Sequence, residues 1–539
     1  MPPHGRDARA DAVVIGAGHN GLVAAAYLAR AGLRTVVLER RPLVGGACVT
    51  EALWPGFRVS RAAYVAGLVR PAVMRELGLA ARGVRFLPRR PSSVTPLPDG
   101  RVLLLGPDLA ASRASIRRFS ARDAARYPDY ERFVDGVARA FEPLLDAPPP
   151  DPGRPRARDL STLARVARGL WRARGALPQA FELLVGAARP VLERWFESEP
   201  LRGTLATDAL IGAWASPSTP GTGYVLFHHV MGETNGARGV WAYVEGGMGA
   251  LSEALAGAAR DAGAEIRVEA PVARIALAGG RAAGVVLEDG AQIEAPLVVS
   301  NADPARTLLG LVGPGALPPE LARALAALDF RSPSLKLNLA LDRLPRFAVE
   351  GAAAGDAPGP EHQGTIHLGA RTLDELEASF AAAQAGRLPE RPMIELTLPS
   401  ALDRSLAPPG RHVASLFVQH VPYALADGGW DRARDTFADR VLALVDEVAP
   451  GFAASVLHRE VLAPPDLERV FGLTGGNLFH GAMTPDRLLF ARPLPGWSGY
   501  RTAVPGLWLC GAGTHPGGGV MGACGRNAAR EILRARARR

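Results

Sequence analysis

The sequence predicts an α/β fold, with a dinucleotide-binding strand–helix–strand unit at its start and a mixed-sheet and helical domain in its middle. Three observations carry this reading. A glycine turn lies between two short apolar strands, a second glycine-rich loop lies near the C-terminus, and alternating or β-branched runs fill the region between.

The opening unit comes first. Ala12 to Ile15 is a short β-branched apolar run, the pattern of a buried parallel strand. Gly16-Ala17-Gly18-His19-Asn20-Gly21 follows, then Leu22 to Ala31 with helical spacing, then Thr35 to Leu38 as a second strand ending in Glu39. Gly16 permits the tight turn. Gly18 lets the backbone approach a pyrophosphate seated on the helix N-terminus, and Gly21 lets that helix pack close to the strand. Glu39 lies 18 residues past Gly21, the spacing of a carboxylate that accepts from ribose hydroxyls. A carboxylate disfavours a 2′-phosphate, which argues against NADP. Gly45-Gly46 lets the chain pass close against a bulky cofactor body, which an NAD domain does not need there. The expected cofactor is FAD.

The whole chain sets bounds. Its 539 residues suffice for two or three domains with large cores. No apolar run reaches the ~18 residues of a membrane-spanning helix, and Met1 to Ala10 is too polar for a secretory leader. Cys48, Cys510 and Cys524 form neither a CxxC nor a metal-binding spacing, so no metal site is expected and a reducing cytoplasm fits. The net charge of +9 is spread along the chain as arginine without a nucleic-acid-binding motif, so no nucleic-acid partner is expected. Lys336 is the single lysine among 62 basic residues, which singles it out as a compact ammonium whose pKa moves on burial.

Cys48 to Leu68 reads as a loop and short helix near the cofactor, Val84 to Leu105 as strands, and Asp108 to Phe141 as helix. Pro148 to Gly153 is a stiff connection. Residues 154–196 form a basic helical stretch in which Leu160, Leu163, Val166, Leu170 and Trp171 recur among Arg165, Arg168, Arg172 and Arg174. Two readings stay open for it: peripheral contact with an anionic membrane surface, or an ordinary helix packed on its own domain. His228-His229 sit in a stretch, Tyr224 to Glu245, read as strand. Neighbours on a strand point opposite ways, so they are packing or pocket residues. Gly246-Gly247-Met248-Gly249-Ala250-Leu251 starts a helix running to about Ala262, Ala264 to Glu294 is a set of strands with turns at Gly279-Gly280 and Asp289-Gly290, and Leu297 to Ser300 is a further strand. Ser334 to Leu341 alternates, with Leu335, Leu337, Leu339 and Leu341 on one face and Lys336 and Asn338 on the other. Pro392 to Leu398 and His412 to Val421 are strands, and Asp431 to Val448 is a helix. Finally Leu507 to Cys510 runs into Gly511-Ala512-Gly513 and Gly517-Gly518-Gly519-Val520-Met521-Gly522, aiming a second helix N-terminus at the flavin. No second GxGxxG follows, so a separate nicotinamide domain is not expected.

The N-terminal block with Gly45-Gly46-Ala47, Gly246-Gly247-Met248-Gly249, Ser300-Asn301-Ala302 and the C-terminal loop together resemble the phytoene desaturase and carotenoid isomerase branch of FAD oxidoreductases. The resemblance covers nearly the whole chain. It implies a Rossmann-like FAD-binding domain built from separated segments, 1–75, 238–305 and 471–539. The substrate domain is inserted as 76–237, strands and a helical cap, and 306–470, sheet and helices. It also implies that Gly16, Gly18, Gly21, Glu39, Arg40, Gly45, Gly46, Val272, Gly511, Val520, Met521 and Gly522 line the FAD. Gly511-Ala512 stands where relatives of this fold carry an acid for the ribityl chain, which leaves that partner open.

The expected function is removal of a hydride from an apolar or lipid-like small molecule to flavin N5, with Lys336, His480 and His515 as candidate catalytic residues. Lys336 would hold a water or tune N5, and the two histidines would move a proton. Two alternatives remain: cis–trans isomerisation without net redox, and a non-catalytic lipid- or protein-binding role of the Rab-escort and GDP-dissociation inhibitor type. The sequence leaves open the electron acceptor and the oligomeric state.

Overall fold

The computed structural model describes residues 8–538 apart from Arg154, Asn235, Ala354 and Asp356. Most of the Met1–Ala10 leader reading, and the first residue of the basic stretch, lie outside these.

Strands Ala12–Ile15 and Thr35–Leu38 pair in parallel at the centre of a five-stranded sheet. Glu265–Arg267 joins beyond Thr35–Leu38, while Val298–Ser300 and then Leu507–Leu509 continue on the other side. All pairings within this sheet are parallel, and every residue of the two central strands is buried, which is why they read as unbroken apolar runs. Helices His19–Arg30, Met248–Asp261 and Ala523–Ala537 cover one face through Leu22, Leu28, Leu251, Leu255 and Ile532. The other face packs Val13, Val36 and Val298 against Ile275, Val285, Leu308 and Leu325. The sheet therefore draws its strands from three distant parts of the chain.

The second sheet has seven strands, in the order Val456–Leu462, Leu335–Leu341, His412–Gln419, Met393–Thr397, Thr365–Gly369, Ser93–Pro96 and Val102–Leu105. The alternation in Leu335–Leu341 is realised. Leu335, Leu337, Leu339 and Leu341 pack with Phe437, Val441 and Val445 of helix Trp430–Asp446, and Lys336 and Asn338 hydrogen-bond on the opposite face. Helices Ala121–Leu145, Leu177–Val185, Ala188–Trp195 and Thr222–Val230 build a third core beside this sheet.

Two local readings are corrected. Thr50–Trp54 and Phe57–Ser60 form an antiparallel hairpin where a loop and short helix were expected, because Pro55-Gly56 supplies the turn and Gly56 takes φ +79°. His228 and His229 sit on helix Thr222–Val230, not on a strand. That helix is buried along nearly its whole length, so surrounding packing overrides the β preference of Tyr, Val and Phe in its sequence.

Candidate functional site

A cavity of about 1180 Å³ runs from the first glycine turn into the second sheet. It exceeds the size of a pocket for one small ligand, and its volume suits a dinucleotide with a second molecule beside it.

The nucleotide end is built from backbone. Helix His19–Arg30 starts after Gly18 with no side chain capping its first amides, so unpaired N–H groups mark its N-terminus. A Cβ on Gly18 would lie 2.6 Å from Asn301 Nδ2, and one on Gly21 would collide with the Gly16 carbonyl. Gly18 and Gly45 bridge each other, and Gly46 lies against the Gly18 Cα. The result is a floor without side chains, which a flat or charged ligand can approach closely. Glu39 is fixed over it: Oε2 accepts from the Ala17 amide at 2.9 Å and Oε1 from the Arg41 amide at 3.0 Å. Arg40 lines the same end and donates to the carbonyls of Arg469 and Val470.

The far wall of this end is the C-terminal glycine loop, and its organiser is Arg492, which sequence reading missed. Arg492 is buried and donates to the carbonyls of Phe479, Ala482, Ala512 and Thr514 at 2.7, 3.0, 2.9 and 3.3 Å. One side chain thus ties the 479–482 loop to the 512–514 loop. The guanidinium stays charged although burial pulls its pKa down to about 10. Among the described residues no partner meets His19 Nε2 or His480 Nδ1, both buried at the cavity wall, although the His19 ring also hydrogen-bonds the Gly519 backbone. A carboxylate over an uncapped helix start, a bare backbone floor and unpartnered nitrogens fit FAD. When bound, it supplies a hydride acceptor.

The predicted site residues divide into two groups. Gly16, Gly18, Glu39, Arg40, Gly45, Gly46, Val272 and Val520 face the cavity, as does His480. Gly21, Gly511, Met521 and Gly522 shape its wall from one layer behind: Gly511 packs on the Asn301 backbone, Met521 joins Leu68 and Ala523, and Gly522 meets Val73. His515 also lies behind the wall, with Nε2 against the Leu144 carbonyl at 2.8 Å. Burial pulls the pKa of His480 and His515 down to about 4, so both rings are neutral at neutral pH. Lys336 is fully buried and does not reach the cavity. It donates to Ser415 Oγ, and its ammonium lies 3.9 Å from the centre of the Tyr64 ring. Burial pulls its pKa down to about 7, against Glu395 and Glu460, which raise it.

The substrate end is more polar than an apolar ligand alone requires. Tyr64, Arg89, Asp208, His367 and Glu395 reach it, between apolar walls from Leu226, Phe417 and Trp241. No sequence motif marks these five residues.

Comparisons with known proteins bear on this geometry. The model of the flavin-containing amine oxidoreductase family matches residues 21–533. The chain is 50% identical to pyridine nucleotide-disulfide oxidoreductase domain-containing protein 2 of Mus musculus, over 97% of this chain and 93% of that protein. It is 32% identical to hydroxyneurosporene desaturase of Cereibacter sphaeroides, over 97% of each. Cyclohexylamine oxidase from Brevibacterium oxydans superposes with a TM-score of 0.56 at 18% identity, covering 98% of this chain and 99% of that one, and so shares the fold.

Proposed function

The chain belongs to the flavin-containing amine oxidoreductase family and is an FAD-dependent oxidoreductase, and from that premise we propose that it removes two hydrogens from adjacent carbons of a largely apolar substrate, leaving a double bond between them. The observation that carries this is the continuity of the cavity: the bare-backbone nucleotide end opens directly into a space walled by Leu226, Phe417 and Trp241. Half of the dehydrogenation is then positional. The protein binds the apolar body, excludes water and presents one C–H bond to the flavin end. The desaturase named above, alike along its whole length, supports the same chemistry.

The test is anaerobic reduction of the purified, FAD-loaded protein, followed by flavin absorbance. A C40 polyene hydrocarbon in detergent micelles is expected to bleach the flavin, while simple primary amines leave it oxidised. Bleaching by amines and not by the polyene would overturn the proposal.

Substrate delivery bears on the same reading. We infer that the face formed by helices Asp159–Arg172 and Leu177–Val185 rests on an anionic membrane surface. Leu160, Trp171 and Phe181 are 67%, 65% and 68% exposed, while Val166 faces inward. Arg165, Arg168, Arg172 and Arg174 surround them, and no carboxylate among the described residues pairs with these four. Arg174 stacks on the Trp171 ring and Arg165 bonds Thr162, so the arginines hold place beside the apolar anchors without an acidic partner, an arrangement that complements acidic headgroups. No helix among the described residues is long and apolar enough to cross a membrane. The protein is expected to sediment with vesicles containing phosphatidylglycerol and much less with pure phosphatidylcholine, and Trp171→Asp with Phe181→Asp to abolish binding. Equal recovery in the supernatant with both vesicles would refute this, as would a self-association that the double substitution removes. The three unpaired, buried thiols Cys48, Cys510 and Cys524 fit a reducing compartment for this contact.

A further inference from the structure

The substrate face of the seven-stranded sheet carries a row of three ionisable side chains and one phenylalanine that no single segment reveals. Residues directly opposite each other on neighbouring strands share a face. Lys336 lies opposite Phe417, Phe417 opposite Glu395, and Glu395 opposite His367. One row therefore crosses four strands, and all four of its members are buried. Tyr64, from the first part of the chain, lies across it. Its hydroxyl donates to Glu395 Oε2 at 2.5 Å, its ring centre is 5.8 Å from that of Phe417, and the Lys336 ammonium sits beneath the ring. His367 Nδ1 lies 3.9 Å from Glu395 Oε1 and 3.3 Å from Thr207 Oγ1. Among the described residues no donor meets the Asp208 carboxyl on the same wall.

Tyr64 directly follows Ala62 and Ala63, which line the cavity together with Gly46 and Ala47. The row thus stands where the nucleotide end meets the substrate end. Converting a single carbon–carbon bond to a double bond removes two hydrogens. One leaves as hydride, with its electron pair. The other leaves as a proton, and its bonding pair becomes the new π bond. The second hydrogen needs a base inside the water-poor cavity.

We propose that Glu395 is that base: its carboxylate takes the proton from the carbon next to the one whose hydride passes to bound FAD, and becomes a carboxylic acid as the double bond forms. This rests on the dehydrogenation reading above. The carboxylate loses its charge, the bound FAD is reduced by two electrons, and no other oxidant is required. Tyr64 holds Oε2, so the proton goes to Oε1, which lies 3.9 Å from His367 Nδ1. Lys336 acts through Tyr64 and is a positioning residue. Tyr64, His367, Asp208, Arg89 and Lys336 are the titratable and charged groups that face Glu395. Burial raises the pKa of Glu395, while Tyr64, Arg89 and Lys336 lower it. Burial and the nearby Glu395 also lift Asp208 to about 7.

The test uses the FAD-loaded full chain with two readouts. In the first, flavin absorbance is titrated with pH in the wild type, Glu395→Gln and Tyr64→Phe, with no substrate added. The wild type is expected to show an inflection that Glu395→Gln removes at unchanged FAD content and Tyr64→Phe shifts. In the second, a C40 polyene in micelles reduces the flavin anaerobically. Glu395→Gln is expected to slow reduction at least 100-fold, within the range of general base catalysis, and Lys336→Arg about 10-fold. A wild-type pH profile in Glu395→Gln, or reduction at the wild-type rate, would overturn the assignment. If the wild type shows the inflection but the polyene fails to reduce it, the apolar-substrate reading falls while Glu395 keeps its place beside the flavin.

Discussion

Gly45→Ala is expected to raise the dissociation constant for FAD at least tenfold, a loss of about 1.4 kcal/mol or more. Gly45 holds φ +118°, which an L side chain rarely adopts, and a Cβ there would meet Ser252 Oγ at 3.0 Å and collide with the Cys48 carbonyl. Backbone cannot yield as a side-chain tip can. Strain and overpacking each cost about 1–3 kcal/mol, and relief comes only by moving the floor on which the cofactor lies. Gly32→Ala is the control. Gly32 also has a positive φ, +84°, but open space around it, so it carries the strain without the collision and far from the cavity. Titration of the stripped protein with FAD, followed by flavin fluorescence, decides the matter. Equal affinities in the two variants would refute the account.

Arg492→Met is expected to destabilise the protein by about 3–5 kcal/mol, because it strands several buried carbonyls at once. Methionine matches the side chain in bulk but donates nothing. The loss is expected to fall first on the junction of the 479–482 and 512–514 loops, so FAD release on heating will precede global unfolding. Arg492→Lys keeps the charge but offers three donors without the fork, and is expected to recover only part of the loss. Melting curves read by released flavin and by far-ultraviolet circular dichroism separate the two events. Coincident curves, with a midpoint near that of the wild type, would show that the loops hold without this side chain.

The nucleotide end was legible in the sequence because backbone geometry dictates its residues. A turn that must leave room for a ligand admits little but glycine at Gly16, Gly18 and Gly45, and the carboxylate at Glu39 follows from the strand that carries it. The substrate end had no such constraint. Tyr64 and Glu395 are 331 residues apart and meet only because sheet register brings them together. Each, taken alone, is an ordinary polar residue near apolar neighbours. Lys336 stood out by being the single lysine, but it lies behind Tyr64 and outside the cavity lining. Arg492 was hidden among many arginines, since nothing local distinguishes a buried organiser from a solvated one. The 222–230 helix was misread because its β-prone composition is decided by what surrounds it.

The central sheet has a consequence for how the protein comes into being. Val298 pairs with Val13 on one side and with Leu507 on the other. During synthesis the first glycine turn leaves the ribosome long before the strand that completes its sheet, so the βαβ unit waits with an open edge. Pairing across such a span is slow and exposes strand edges to other chains. The cofactor end closes only when the strand Leu507–Leu509 and the glycine loop after it have been made. Flavin loading therefore follows synthesis of the 507–522 segment, and a product that stalls before it lacks the wall against which the cofactor would be held.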